Sequence, residues 1–124
     1  ARHVRLLGRL SDAQLPLAYR AADMTVVPTV ALEGFGLIAV ESLAAGTPVL
    51  VTPVGGLPEV VAALSPALVL EGTGSAPLAD GVLRALGGDL ALPSADACRE
   101  YVRAHFDART AAGRTAEVYR EAIG

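Results

Sequence analysis

The sequence predicts an α/β fold, a doubly wound parallel sheet, on three observations. Short apolar runs alternate with amphipathic segments of helical length along the chain, the pattern of parallel strands joined by crossover helices. One run, Thr47-Pro48-Val49-Leu50-Val51-Thr52, is nearly all apolar, as a central strand covered on both faces must be. Glycines fall where strand gives way to helix, at Gly34 and Gly36 and again at Gly55 and Gly56, where the backbone needs freedom or close approach.

Taken in order, His3-Val4-Arg5-Leu6-Leu7 alternates polar and apolar residues before Gly8 and predicts a short strand. Ser11-Asp12-Ala13-Gln14 has the spacing of a capping box. Leu15, Ala18, Tyr19 and Ala22 then share a helical face, with Pro16 in the first turn, where its missing N–H costs nothing. Met24 to Pro28 reads as a strand, and Leu37 to Ala45 as a helix stopped by Gly46. After the strand at Thr47–Thr52, a tight loop over Pro53–Glu59 leads into a helix with Pro58 in its first turn, continuing through Val60 to Leu64. Ala67 to Leu70 predicts a last short strand and Gly72 to Ser75 a turn. Leu78 to Leu86 is amphipathic and ends at Gly87-Gly88. Ser94 is placed to cap a helix with Cys98, Tyr101, Val102 and Phe106 inward, and Asp107 to open a final one ending near Ile123. Tyr19, Tyr101, Phe106 and Tyr119 fall at helical spacing with other apolar residues and read as core. His3 and His105 read as surface residues, paired with no nucleophile.

Composition narrows the classes. At 124 residues the chain has the length of one domain, and its 52% hydrophobic residues support a true core. A net charge of −3, with ten arginines, no lysine and no basic cluster, argues against a nucleic-acid partner. A single cysteine, Cys98, excludes an internal disulfide and fits a reducing, cytoplasmic compartment as a buried small hydrophobe. Glycines and prolines interrupt the apolar stretch from Val49 to Leu70 short of the roughly 18 residues of a transmembrane segment. The start, Ala1-Arg2-His3-Val4, has neither an initiating methionine nor the form of a signal peptide, and suggests part of a longer protein.

The stretch with chemistry in it is Glu33-Gly34-Phe35-Gly36-Leu37-Ile38-Ala39-Val40-Glu41. Glycines at a helix start let a ligand approach the backbone, and the amides and dipole there favour an anion such as phosphate. A carboxylate beside a diphosphate would be repelled, so the sensible task for Glu33 and Glu41 is to accept hydrogen bonds from hydroxyls on either side of it. The plainer alternative, two solvated charges, is disfavoured by the setting of Glu41 among apolar residues beside a glycine-rich turn. Glu59 fits a helix-dipole charge and a ligand contact equally well. Gly34 to Ala39 also spells the G-x-G-x-x-A dinucleotide fingerprint, but the next strand ends Val51-Thr52-Pro53 without the acid that a nicotinamide site needs. A phospho-receiver domain is disfavoured by the absence of lysine.

The pattern Gly8, Ala22-Asp23, Val27-Pro28, Glu33-Gly34-Phe35-Gly36-Leu37, Glu41-Ser42-Leu43-Ala44-Ala45-Gly46-Thr47-Pro48-Val49 and Gly55-Gly56-Leu57-Pro58-Glu59 resembles the C-terminal donor-binding domain of retaining family-4 glycosyltransferases, relatives of glycogen synthase with the GT-B fold. The resemblance covers essentially the whole chain, 1–124, and ends in C-terminal helices over 94–123. It implies a Rossmann-like half of GT-B, truncated at its N-terminal side, that takes a hexose from a nucleotide diphosphate sugar with retention at the anomeric carbon and generally without metal or other cofactor. It implies that Glu33 lies at the reaction centre, that the backbone of Gly34, Phe35, Gly36 and Leu37 binds sugar hydroxyls and the distal phosphate, and that Glu41 holds the ribose. Gly8 to Leu10 would lie by the nucleobase, Leu10 included.

Against the family pattern, two strand–helix units are missing, and with them an arginine and a lysine that neutralise the departing diphosphate; the N-terminal acceptor domain is missing too. The chain alone is therefore expected to be inactive. In the family's sheet order, 3-2-1-4-5-6, the loss removes the strands between His3–Leu7 and Met24–Pro28. The exposed edges would then pair non-natively or join copies into a homo-oligomer, which makes a non-catalytic self-associating module the alternative reading.

Overall fold

Strand β2, Val49–Val51, is the best protected part of the molecule, with all three residues at 0% exposure. The computed structural model describes residues 3–30 and 36–106 of the chain. Strand β1, Thr25–Val27, pairs with β2 in parallel, Thr25 opposite Val49 and Val27 opposite Val51. On the far side of β2, Val51 forms an isolated parallel bridge to Val69, and the Leu70 N–H donates to the Val51 carbonyl at 2.7 Å. β2 is thus central, as its apolar sequence predicts.

The helices are α1, Leu15–Ala21; α2, Leu37–Ala44; α3, Leu57–Val61; α4, Ser75–Leu86; and α5, Ala95–His105. Helix α2 packs against β1, β2, α1, α3 and, most extensively, α5. Its buried face, Ala39 and Leu43, joins Val27, Leu57, Val60, Val61, Leu68, Leu70, Leu90 and Cys98 around β2 in one core. Alternating strand and helix therefore gives the expected parallel α/β architecture.

Local chemistry accounts for the helix ends. At α1 the capping box forms reciprocally: the Ser11 N–H donates to Gln14 Oε1 at 3.0 Å and the Gln14 N–H to Ser11 Oγ at 3.2 Å. α2 ends in a Schellman turn. Gly46 takes φ +87°, its N–H donates to the Leu43 carbonyl, and the Thr47 N–H to that of Ser42. A Cβ at Gly46 would also meet the Arg99 guanidinium, which lies over this helix end, where the dipole favours a cation. At α5, Ser94 Oγ accepts the Ala97 N–H at 3.1 Å. The Tyr101 hydroxyl donates to the Val60 carbonyl at 2.6 Å, tying α5 to α3. Cys98 is fully buried, as expected, and burial pushes its thiol above the ordinary range.

Three expectations need correction. Residues 3–10 form no strand, and Val4, Leu6 and Leu7 are exposed. Alternation alone does not make a strand; a hydrogen-bonding neighbour is needed, and among the described residues β1 pairs only with β2. Ala67 to Leu70 is a single turn of 3-10 helix, Pro66–Leu68, followed by the one bridging residue Val69. Pro66 lacks an N–H and holds φ near the helical value, so it starts a turn rather than a ladder. α4 begins at Ser75, ahead of the expected Leu78, because Gly74, at φ +94°, reverses the chain directly into the helix. The helix expected over Asp107–Ile123 lies outside the described residues.

α4 lies against the core through Gly81, where a Cβ would collide with Leu70 Cδ2. Alanine would gain about 1 kcal/mol in helix propensity, but forcing a methyl into a packed contact costs about 1–3 kcal/mol. The packing term is the larger. Gly81→Ala is expected to lower stability by about 1 kcal/mol in urea unfolding, where a gain would show that Leu70 yields freely.

Candidate functional site

The site lies where β1 and β2 end and the chain turns back into α2 and α3. Thr52, buried just after β2, holds the two strand ends together. Its N–H donates to the Val27 carbonyl at 3.2 Å and its hydroxyl to the Thr29 carbonyl at 2.6 Å. In parallel α/β sheets, ligands bind outside this carboxyl edge of the strands.

Gly36 is the N-cap of α2 and sits in the left-handed region, φ +78° and ψ +41°. A Cβ there would lie 3.1 Å from Leu57 Cδ2 and 3.3 Å from Val60 Cγ2. Backbone conformation and packing against α3 therefore both call for glycine. The first turn of α2 carries no acidic residue and no side-chain cap, so no anionic group of the helix itself competes for its leading amides. Leu37 and Ile38 stand exposed at this helix mouth, and Glu41, one turn beyond Leu37, is exposed on the side facing α1.

A groove of about 500 Å³ separates α1 from α2, lined by Asp12, Leu15, Pro16, Tyr19 and Arg20 on one side and Glu41, Ala44 and Ala45 on the other. Across it the Tyr19 hydroxyl donates to Glu41 Oε2 at 3.2 Å. Burial first, then the Glu41 charge and this hydrogen bond, raise the Tyr19 phenol above its ordinary range. Behind the groove lies a chain of hydroxyls. Ser42 Oγ is 2.8 Å from Thr25 Oγ1 and 2.9 Å from the Thr47 carbonyl. With one proton to give, it donates to the carbonyl and accepts from Thr25. Thr47 Oγ1 in turn donates to the Tyr19 carbonyl at 2.5 Å.

Of the residues singled out in the sequence, Gly36 caps α2 and Leu37 opens it, while Glu41, further along the same helix, lines the α1–α2 groove. Leu10 is half-buried on the segment entering the capping box and does not line the α1–α2 groove. Glu33, Gly34 and Phe35 lie outside the described residues. Glu59 is exposed in the first turn of α3. Gly55 takes φ +56°, a backbone reason for glycine, whereas Gly56, at φ −83°, needs none. Tyr19 is the residue that pattern reading misplaced: it is half-buried, not core, with its hydroxyl on Glu41. Its signal was present in the side chain, since a phenol at the edge of a core keeps a polar handle for a partner. The Thr25, Ser42 and Thr47 hydroxyls gave no sign in the linear pattern, because their contacts join separate elements.

A parallel α/β unit with a glycine-capped helix beginning at the carboxyl edge of its strands is an architecture shared by many ligand-binding α/β folds. Comparison with known proteins narrows it. The profile of the family "Glycosyl transferases group 1" matches residues 1–105. The D-inositol 3-phosphate glycosyltransferase of Corynebacterium glutamicum (strain R) is 35% identical over 98% of this chain and 29% of its own length. The protein of the same description from Streptomyces avermitilis is 42% identical over 97% of this chain and 26% of its own. Among solved structures, sucrose-phosphate synthase from Thermosynechococcus elongatus superposes with a TM-score of 0.81 at 31% identity, over 99% of this chain and 31% of that one. The chain belongs to the group 1 glycosyltransferases, with a fold matching part of GT-B. It spans less than a third of the length of these relatives.

The Ser42 hydroxyl is fully buried. Replacing it with alanine strands the Thr25 hydroxyl and the Thr47 carbonyl. Ser42→Ala is expected to cost about 1–3 kcal/mol, read from the urea midpoint, and a neutral result would mean that water replaces the lost partner.

Proposed function

We propose that this chain is the donor-binding part of an enzyme that moves a hexose from a nucleotide diphosphate sugar to an acceptor with retention of anomeric configuration. The observation that carries the reading is Gly36 in its left-handed conformation at the head of α2, with Glu41 on the groove side one turn further on. Amides at the helix end suit the diphosphate, and the Glu41 carboxylate suits the ribose hydroxyls. Family membership supports a glycosyltransferase reading.

In this reading Glu33 lies beside the transferred sugar, and the backbone of Gly34, Phe35, Gly36 and Leu37 holds its hydroxyls and the distal phosphate. Leu10 borders the nucleobase. The nucleoside diphosphate departs from the face on which the acceptor attacks, and helix-end amides stabilise the charge that develops on it. The acceptor belongs to a domain outside this chain, so the chain by itself binds donor without transferring it. A second reading rests on the edge of β1, which among the described residues pairs only with β2: copies of the chain would associate there. Light scattering separates the two, since self-association gives a mass that rises with concentration.

Titration calorimetry with UDP, GDP, ADP and their sugar conjugates tests the donor reading. One nucleotide is expected to bind, and Glu41→Gln to weaken it by about tenfold or more, the range for a hydrogen bond to a charged acceptor. A folded chain that binds none of the panel overturns the reading.

A further inference from the structure

We infer that Tyr19 is a positioning residue for nucleotide recognition, holding the Glu41 carboxylate in the orientation in which it meets the ligand's hydroxyls. The inference rests on the donor-binding reading of Glu41 and assigns a part to a residue on a different helix.

Glu41 is exposed and lies on an exposed helix face. Left alone, a glutamate there samples many rotamers, and ordering it at the moment of binding subtracts from affinity. The Tyr19 hydroxyl, 3.2 Å from Oε2, occupies one acceptor position and leaves the remaining lone pairs of the carboxylate directed elsewhere. Two other residues that line the groove are charged, Asp12 and Arg20, and the hydrogen bond of Glu41 is to the neutral phenol.

A tether is useful only if its own base is fixed. Tyr19 is held at the backbone by the Thr47 hydroxyl, at 2.5 Å. Thr47 is buried, and its carbonyl accepts from Ser42, which is linked to Thr25 on β1. Tyr19 is therefore anchored to the strands through hydroxyls at one end and reaches Glu41 at the other. The phenol is half-buried at the wall of the groove that it shares with Leu15, Pro16, Ala44 and Ala45. Rigid aromatic side chains with a polar tip serve such a purpose at low entropic cost.

The experiment uses the chain with Tyr19→Phe, Glu41→Gln and both together. Phenylalanine keeps the ring and its packing and removes only the hydroxyl. Binding of whichever of UDP, GDP and ADP binds tightest is compared with that of its 2′,3′-dideoxy analogue. Tyr19→Phe is expected to weaken the ribonucleotide about two- to tenfold and leave the dideoxy analogue unchanged. The double variant should bind no more weakly than Glu41→Gln. Equal weakening of both nucleotides, or of neither, overturns the inference while leaving donor binding intact. A ligand-free readout separates the two ideas: in ultraviolet titration, Glu41→Gln should move one phenol toward its ordinary range, and the shift should vanish in the Tyr19→Phe background. If no phenol moves, the contact is absent and the inference fails. If the phenol moves but the folded chain binds no nucleotide, the donor reading fails and this inference falls with it.

Discussion

The complete burial of β2 is the constraint from which the rest of the structure follows. A parallel strand with no exposed residue must satisfy every polar group within the protein, and the two threonines that bracket it, Thr47 and Thr52, are themselves buried. Their side chains turn this demand into connections. Thr52 reaches the loop after β1, and Thr47 reaches the carbonyl of Tyr19 on α1. The Thr47 hydroxyl, satisfied in this way, also holds the backbone of Tyr19 on the wall of the groove that faces Glu41.

α2 performs a comparable double task. Ala39, Ser42 and Leu43 face inward, while Glu41 looks into the groove and Leu37 and Ile38 into solvent. Its N-terminus is opened by Gly36 and its C-terminus closed by Gly46, each glycine with positive φ and each crowded by a side chain from another helix. The helix is thereby held at both ends, at one by α3 and at the other by Arg99 of α5.

Much of this was legible in the sequence. The capping box at Ser11 and Gln14, the Gly46 stop, the Pro58 helix start and the Ser94 cap depend on residues within a few positions of one another, and local chemistry of that kind reads directly from the chain. So does the apolar run of β2. Strand identity at His3–Leu7 and Ala67–Leu70 did not read correctly, because a strand is a property of a pair and its partner is not encoded in the run. For the site, the glycine-rich helix start and the spacing of the acids drew attention to Gly36 and Glu41, while Leu37 entered through the family resemblance. Tyr19 escaped because its part depends on a contact between two helices separated by a strand and a loop, and helical spacing sees only one helix at a time.

α1 has no fully buried residue. What seats it on the molecule is the Thr47 bond to its backbone, the bond from the Tyr19 hydroxyl to Glu41, and half-buried contacts along one face. Opening it exposes little apolar area, so its local opening is resisted chiefly by those hydrogen bonds. One wall of the groove thus carries no fully buried residue, while the other belongs to a helix with Ala39, Ser42 and Leu43 in the core. A molecule bridging Glu41 and α1 would add a further tie between the two walls, and by linkage its affinity would show up as slower amide exchange in α1.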